Sequence, residues 1–173
     1  MFVSTLEIIT RLRAFLESLK APSGEPLFEL VRCYDSTQIE HAFADLLVEN
    51  QRRVCLVLPG RCAYEHAREG LKLRVAKAPQ FQLLICDTDR ENGSAALLGG
   101  PENIGVVALA DLVADALAGK NLGLPFVALA PVEGDDLQVY DTSKPGDPGR
   151  KGWLLTLETF AGAAHISVPP VRG

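Results

Sequence analysis

Two acidic side chains lie two residues apart in the segment CDTDRE, and their spacing suits metal chemistry. Asp87 and Asp89 follow the apolar, strand-like run QFQLLIC. Carboxylates at the end of a buried strand often hold Mg²⁺ in phosphoryl-transfer enzymes. A complete site needs a further carboxylate and a phosphate-binding loop, and the chain has no GxxxxGK[ST] run. Two interpretations stay open here: the two carboxylates belong to a metal site, or they lie in a polar loop that follows a strand.

The segment GGPENIG at 99–105 is rich in glycine and precedes an apolar, helix-like run. A helix N-terminus attracts anions, so the segment suits a phosphate loop. Its spacing matches no dinucleotide-binding fingerprint, and a simple loop entering a helix explains it equally well. With Asp87 and Asp89, the Gly99–Gly105 loop defines one candidate function, a small α/β metal- or nucleotide-binding enzyme.

Cysteine and histidine form no recognisable catalytic set. A single Cys/His pair, Cys62 and His66, is spaced by four residues, whereas a zinc site needs four ligands. That spacing alone neither lowers a thiol pKa nor supplies an oxyanion hole. The cysteines lie mostly in apolar runs, where we expect reduced thiols that pack as small hydrophobes. We therefore expect no enzymatic activity, no metal and no cofactor. The four cysteines are Cys33, Cys55, Cys62 and Cys86.

Length and composition fit one compact domain. The chain has 173 residues, 47% of them hydrophobic, and a net charge of −5. The acidic net charge argues against nonspecific binding to nucleic acid, which requires a continuous basic surface. No apolar run reaches the ~20 residues of a membrane span, and Glu7 and Arg11 interrupt the first periodic region, unlike a secretory signal. We expect a cytosolic protein with one domain over 1–161 and an extended tail over 162–173.

The first half of the chain alternates helix and strand patterns. Helical spacing predicts an amphipathic helix over 2–20, and a strand followed by a helix is predicted over 27–50. RRVCLVLPG has the pattern of a strand buried on both faces. GLKLRVAK alternates apolar and basic residues, and a turn at Ala78-Pro79 would pair 71–77 with 80–88.

The second half begins with a helix over 104–120 and continues with strands. PFVALAPVEG and DLQVYD are predicted to flank a tight turn at Gly134-Asp135, and KGWLLTLETFAG supplies a further strand. The polar segment 141–152, rich in proline and glycine, forms a long hairpin loop. The predicted fold class is α/β in the α+β sense: a central mixed, largely antiparallel sheet flanked by two to three helices, with this loop and an extended C-terminal tail.

This order of elements resembles that of the tail-terminator or minor tail-completion proteins of long-tailed phages, including Mu-like ones. The matching segments are FVSTLEIITRLRAFL at the start, IGVVALADLVADALAGKNLGL late, and the strands PFVALAPVEGDDLQVYD and GWLLTLETFAG around a variable loop. The resemblance covers most of the chain, but its motifs are weakly specific, because such patterning recurs in many α/β domains.

The resemblance implies a virion structural protein that caps the tail tube as a hexameric ring and joins it to the neck or head-completion proteins. The tail tube protein is an expected partner, with the sheath as a further candidate. The genome would pass through the lumen without specific binding, and no membrane is involved. The protein would reside in the host cytoplasm during assembly and in the tail or neck of the virion afterwards.

Ring subunits meet through two different patches, and complementary charges would set their register. The basic strand 71–77 and the acidic turn 133–136 offer such charges, and the loop 141–152 and the tail 162–173 are candidate contacts to tube, sheath or neck. Trp153 suits either an interface anchor or the core. The predicted interface residues are Lys72, Arg74, Lys77, Glu133, Asp135, Asp136, Lys144, Arg150, Lys151 and Trp153.

Overall fold

A computed structural model describes residues 2–34, 52–88, 93–101, 103–139 and 150–167. The helices are α1 (Thr5–Ser18), α2 (Gly93–Leu98) and α3 (Val106–Leu117). The strands are β1 (Leu30–Cys33), β2 (Val54–Glu69), β3 (Lys72–Thr88), β4 (Val127–Val139), β5 (Arg150–Ala161) and β6 (Ala163–Ser167). The helix predicted within 36–50 lies outside the described residues.

The strands form one six-stranded sheet in the order β1-β2-β3-β5-β4, and β6 pairs with the outer part of β3. Of the described strands, only β1 and β2 run parallel to each other, whereas the other pairs are antiparallel. The predicted α+β class, with a mixed and largely antiparallel sheet and three described helices, is confirmed.

Helices α1 and α3 bury their apolar stripes against one face of the sheet. In α1 the residues Ile8, Leu12 and Leu16 recur every four positions and are buried. A fully buried Leu or Ile side chain contributes roughly 1.5–3 kcal/mol through removal of its surface from water. The strand residues opposite these helices include Val57, Phe81, Leu83, Ile85, Leu155 and Leu157.

The other face of the central strands is also apolar and buried. A second cluster contains residues of β2 and β3 that alternate with those facing the helices: Val54, Leu56, Leu58, Leu84 and Cys86. Because both faces are covered, β2 begins as a continuous apolar run rather than an alternating one. The prediction for RRVCLVLPG is therefore confirmed.

The turn predicted at Ala78-Pro79 is wrong. Residues 72–88 form one strand, β3, which pairs along its length with β2, and the chain turns at Gly70-Leu71 instead. Pro79 lies inside β3 opposite Cys62, directly after a bulge between Pro59 and Cys62. A proline lacks the backbone N–H, and such bulges are among the few places where a strand tolerates it.

The tight turn predicted at Gly134-Asp135 is also wrong, because both residues lie inside the continuous strand β4. Gly134 is required there by packing. A Cβ atom at this position would lie 2.5 Å from Nε1 of Trp153, whose indole covers the strand. The hairpin between β4 and β5 is present, but Arg150, Lys151 and Gly152 belong to β5, so the connection spans only 140–149.

The loop before α3 closes tightly on itself. Gly99 and Gly105 both have positive φ angles, 91° and 85°. A Cβ atom on Gly105 would lie 2.2 Å from the backbone nitrogen of Gly99, and a Cβ on Gly99 would lie 2.5 Å from the carbonyl oxygen of Ile104. These glycines are thus explained by close approach of two backbone segments, without any ligand.

Gly105→Ala is expected to destabilise the fold by about 3 kcal/mol or more, because it combines backbone strain with a backbone clash. Gly119→Ala is the matched control: Gly119 has φ 71°, but nothing lies within 4 Å of the position that an added Cβ would take, so only the strain of about 1 kcal/mol is expected. Urea unfolding of both variants measures the difference. Equal losses of unfolding free energy in the two variants would show that the close approach of Gly99 and Gly105 does not contribute to stability.

Candidate functional site

The hairpin of β2 and β3 extends well beyond the rest of the sheet. β3 pairs with β5 over Gln80–Thr88 and with β6 over Lys72–Ala76. The outer part is therefore a three-stranded sheet built from 62–79 and 163–167, which we call the arm. Part of the predicted extended tail, Ala163–Ser167, is held here by the chain's own β3, whereas 168–173 lies outside the described residues.

One face of the arm carries most of its large apolar side chains and is open. Leu73 pairs across the strands with Ile166, so their side chains lie on the same face. Tyr64 and Val75 lie on that face by strand alternation, and so do His66, Arg68 and Lys77, which pair with Val75, Leu73 and Tyr64. Tyr64 is 58% exposed, Ile166 50% and Leu71, at the tip, 62%. An isolated exposed apolar side chain is ordinary, but a contiguous set on a projecting sheet marks an interaction surface. We call this the apolar face.

The opposite face of the arm has charged positions of both signs, because the register sets Glu69 opposite Lys72 and Glu65 opposite Ala76. Lys72 and Arg74 are exposed and alternate with the half-buried Leu73 and Val75, as predicted from the sequence. Arg74 pairs across the strands with the exposed His165 of β6. We call this the charged face.

The arm as a whole has a positive net charge. Its residues 62–79 contain four lysine and arginine side chains against two glutamates, and 163–167 adds neither type, so the sum is +2. The basic residues are Arg68, Lys72, Arg74 and Lys77, and the acidic ones are Glu65 and Glu69. The arm segments thus have a positive net charge in an acidic chain, but Lys77, one of the four basic residues, is buried.

Lys77 does not lie on the charged face, because strand alternation places it with Leu73 and Val75, opposite Tyr64. The sequence predicts it as an interface residue, but only 9% of it is exposed, and its Nζ donates a hydrogen bond to the carbonyl oxygen of Val3 at 3.1 Å. The segment before α1 covers the base of the arm, which explains the burial. The ring of Phe2 also meets that of Tyr64 edge to face at 6.4 Å. Sequence patterns carry no signal for such a long-range contact.

Hydrogen bonds brace the base of the arm. The backbone N–H of Val3 donates to Ala161 at 3.2 Å, and that of Lys77 donates to Gly162 at 3.1 Å. On the other face, Arg61 Nε donates to Gln80 at 2.9 Å, and Gln80 donates in turn to Glu158 at 3.0 Å. These contacts join three strands and the N-terminal segment, so the arm continues the sheet as a stiff extension.

The last strand in the sheet order, β4, carries a second exposed surface. Phe126 precedes it and is 74% exposed, Val132 lies at its bulge and is 51% exposed, and Phe160 of the neighbouring β5 is 43% exposed. Phe160 pairs with the exposed Ala128. We call these four residues and the exposed Ala130 the β4 patch.

Two acidic residues continue the β4 patch along the same strand. Glu133 and Asp135 are exposed and alternate with Gly134. The sequence predicts them at a hairpin turn, yet they line an edge strand. Asp136 also belongs to β4, opposite Trp153. Trp153 itself packs against the main core rather than standing free at a surface.

Among the described residues, Arg150 and Lys151 lie apart from both surfaces. Arg150 and Lys151 start β5 at the far end of the sheet, opposite Thr88 and Asp87 in β3. Lys144 lies outside the described residues. The structure thus brings Lys72 and Arg74 together on the arm and Glu133 and Asp135 together on β4, but it does not unite all ten residues.

Phe126 is held in an unusual backbone conformation. Its φ angle is 61° and that of Leu122 is 54°, in the left-handed region that side chains with a Cβ rarely adopt. Backbone hydrogen bonds of 3.0 and 2.9 Å from Leu129 to Lys120 and from Gly119 to Leu129 hold the segment against β4. Strain of this kind persists only where the surroundings impose it, and it favours functional positions. The sequence gives no cue to this residue.

Asp87 caps the N-terminus of α3. Its Oδ2 accepts the backbone N–H of Gly105 at 3.1 Å, and its Oδ1 accepts that of Thr88 at 2.8 Å. The side chain is buried. Burial raises the pKa of this carboxyl, while the two N–H donors and the nearby Arg52 and Arg53 lower it, and the net shift is upward.

This geometry brings Asp87 together with Gly105 of the predicted 99–105 loop. The carboxylate of Asp87 therefore occupies the backbone N–H of the residue that directly precedes α3. Asp89 lies outside the described residues. Within the described ranges, no group of three His, Cys, Asp or Glu side chains is arranged to hold a metal ion.

Comparisons with known proteins add no assignment. No protein-family model matches the chain, and a search of curated proteins finds no match either. Among the described residues, no helix has both the length and the apolar character needed to cross a membrane.

Asp87→Asn is expected to change the pH dependence of stability. Because the folded-state pKa of Asp87 lies above that of a solvated Asp, about 3.9, the folded protein keeps this proton at pH values where the unfolded chain has released it. The wild type should therefore gain stability relative to Asp87→Asn as the pH falls from 7 through this window. Urea unfolding at several pH values measures the difference.

The opposite trend, a relative loss of wild-type stability on acidification, would mean that the pKa of Asp87 is depressed. Asp87→Ala is the matched variant that removes both acceptors. It leaves two buried N–H groups without a partner, and the expected loss is about 3 kcal/mol at neutral pH.

Proposed function

We propose that this protein is a structural component of a phage tail, which assembles into a ring, caps the tail tube and joins it to the neck or head-completion proteins. The observation that carries the proposal is the arm, a stiff sheet extension with an apolar face that no described part of its own chain covers fully. Such a surface is costly in an isolated protein and is normally buried by a partner.

The architecture supports an assembly role in a second way. β4 is the outermost strand in the sheet order and runs for 13 residues with an exposed apolar patch. Natural proteins usually protect long edge strands, because open backbone groups invite pairing with another chain. A subunit that is always assembled has its edges protected by its neighbours.

The acidic net charge of the chain is compatible with a ring through which DNA passes. The chain carries a net charge of −5, and a ring of acidic subunits repels the phosphate backbone. The genome would then slide through the lumen without binding to its wall. The positively charged arm must accordingly point away from the lumen or be covered in the ring.

The enzymatic alternative has less support from the geometry. Its best residue, Asp87, is buried and engaged by two backbone N–H groups. The glycines of the 99–105 loop are explained by contact between Gly99 and Gly105. Neither feature needs a ligand, so the assembly role accounts for more of what the described residues display.

The ring proposal predicts the mass of the protein in solution. Light scattering should give six times the chain mass, either for the protein alone or after it is added to tubes of the tail-tube protein encoded beside it. Negative-stain electron microscopy should then find the protein at tube ends. The Asp87→Asn variant is the control for the enzymatic alternative, and it should assemble like the wild type. A protein that stays monomeric and leaves tube ends bare would contradict the proposal.

A further inference from the structure

We propose that the outer edge of β4 over residues 132–139 binds an extended segment of another protein as an added strand, and that this segment alternates basic and apolar side chains. We call these residues the open edge. The inference goes beyond the proposed ring, because a monomer would bind such a segment equally well. Three features support it: the outward backbone groups of the edge, the acidic side chains beside them and the position of Trp153.

The first half of the β4 edge is occupied by the chain itself. The N–H of Leu129 donates to the carbonyl oxygen of Lys120 at 3.0 Å, and the carbonyl oxygen of Leu129 accepts the N–H of Gly119 at 2.9 Å. Pro131, the next residue whose backbone points outward, has no N–H to donate. An added strand therefore finds no usable run of donors and acceptors before residue 132.

The register of β5 carries this alternation past the bulge in β4. Because the backbone of Leu129 points outward, its cross-strand neighbour Thr159 bonds to β3 rather than to β4. The shift in register lies between Pro131 and Glu133, on the β4 side, so the alternation along β5 is unbroken and Thr156 bonds to β4. Glu133 pairs with Thr156, and its backbone therefore points toward β5.

Alternation then directs the backbone groups of Gly134, Asp136 and Gln138 outward. No described strand pairs with this side of β4, which is the last strand in the sheet order. Val132, where the open edge begins, is 51% exposed, and Gly134 is exposed as well. A row of outward N–H and C=O groups is a template for a further strand, and extended peptides bind to many proteins in this way.

Two exposed carboxylates flank the open edge. Glu133 and Asp135 lie on the same face of β4 by strand alternation. Among the described residues, no basic side chain forms an ion pair with either of them. Glu158 of β5 lies on that face as well, but Gln80 donates a hydrogen bond to it at 3.0 Å. An added strand sets two of its side chains beside Glu133 and Asp135, and basic side chains at both positions have the complementary charge.

Trp153 defines the other face of the open edge. Its Nε1 lies 2.5 Å from the position that a Cβ atom on Gly134 would take, so the indole covers the glycine. The indole packs against the main core but is only partly buried. A strand added beside Gly134 places the side chain between its two basic residues on the face of the indole. An apolar side chain there gains contact with the ring, so the favoured order is basic, apolar, basic.

The occupant is a different protein rather than a second copy of this chain. Two copies that paired β4 to β4 would bring the carboxylates of Glu133 and Asp135 together, and like charges opposite each other destabilise a sheet. The described part of the chain has its own run of basic, apolar and basic residues in Lys72, Leu73 and Arg74. That run lies in β3 and is already paired with both β2 and β6.

The other described strand edges lack this combination of features. The strand β6 has five residues, AAHIS, and none of them is acidic. The outer part of β2 has two glutamates on one face, but Glu65 and Glu69 are four residues apart with Ala67 between them. A strand added there needs a different spacing of its basic residues, so the spacing in a peptide distinguishes the two edges.

A synthetic peptide tests the open edge in the full-length protein. The probe, Thr-Val-Thr-Lys-Leu-Arg-Val-Thr, has the favoured order and no aromatic residue. Trp153 is the only tryptophan of the chain, so its fluorescence reports binding at this place. Its emission should shift to shorter wavelength as the leucine of the probe covers the indole. Amide hydrogen exchange should slow at Gly134 and Asp136, whose N–H groups point outward, but not at Glu133.

Charge reversal tests the selection of a basic segment. Glu133→Lys with Asp135→Lys should weaken binding of the probe roughly tenfold or more, because two attractive contacts become repulsive. The same variant should bind the acidic peptide Thr-Val-Thr-Glu-Leu-Glu-Val-Thr, which the wild type should not bind. The control is Asp111→Lys with Asp115→Lys, which reverses two exposed charges on α3 and should bind the probe like the wild type.

A proline substitution tests the backbone pairing. Asp136→Pro keeps the ladder to β5, because the N–H that it removes points outward, and edge strands tolerate proline at such positions. Asp136→Asn is the matched variant, since it loses the same charge but keeps the N–H. The proline variant should bind the probe roughly tenfold more weakly than the asparagine variant. Urea unfolding checks that both variants are folded, and the charge reversal tests the open edge independently if the proline variant is not.

The outcomes separate the open edge from the ring. A monomeric wild type that leaves tube ends bare but binds the probe overturns the ring function and supports the open edge. A wild type that forms a ring but never binds the probe overturns the open edge while the ring function stands. Loss of the ring in Asp136→Pro but not in Asp136→Asn means that a second copy occupies the edge, which overturns the inference. Equal binding of the basic and acidic peptides by the wild type overturns it as well.

Discussion

The hydrogen-bonded register of β3 is the constraint on which the rest of the structure depends. This 17-residue strand pairs with β2 along its length, with β5 over its inner half and with β6 over its outer half. The inner half is buried on both faces and anchors the core. The outer half continues the same register beyond the core, so the buried inner half of β3 sets the direction of the arm. A shift by one residue would turn every core side chain to the opposite face.

The same strand gives Asp87 a structural contact. β3 ends at Thr88, next to the N-terminus of α3, and the buried carboxylate of Asp87 links sheet and helix through the N–H of Gly105. A buried polar group is tolerated when its hydrogen bonds are satisfied, and here each carboxylate oxygen accepts one. The glycine loop allows the backbone to approach closely enough for this link. Acidic residues after a strand and glycines before a helix therefore arise from the junction between two elements.

Sequence periodicity predicts the parts of the fold whose cause is local. The helices within 2–20 and 104–120 are predicted by the spacing of their apolar residues. The buried start of β2 is predicted by its continuous apolar run. The errors arise where a distant contact outweighs a local cue. Pro79 suggests a turn, but it lies in a strand beside a bulge in β2. Gly134 also suggests a turn, but it lies in a strand where the indole of Trp153 leaves no space for a Cβ atom. For the candidate interface, alternation places Lys72 and Arg74 correctly on one face. It cannot reveal that the segment containing Val3 covers Lys77, or that Phe126 is held in a strained backbone conformation.

The arm differs in shape and in surface character from an active site. An active site gathers polar groups in a concave, pre-organised pocket, whereas the arm projects outward and carries exposed apolar side chains as far as its tip. Its base is braced by Val3 and by the chain of hydrogen bonds from Arg61 to Glu158, so its orientation is set before any partner arrives. Pre-organisation lowers the entropic cost of association. An arm braced in this way holds the exposed Tyr64, Leu71 and Ile166 on a pre-organised, projecting surface and not in a concave pocket.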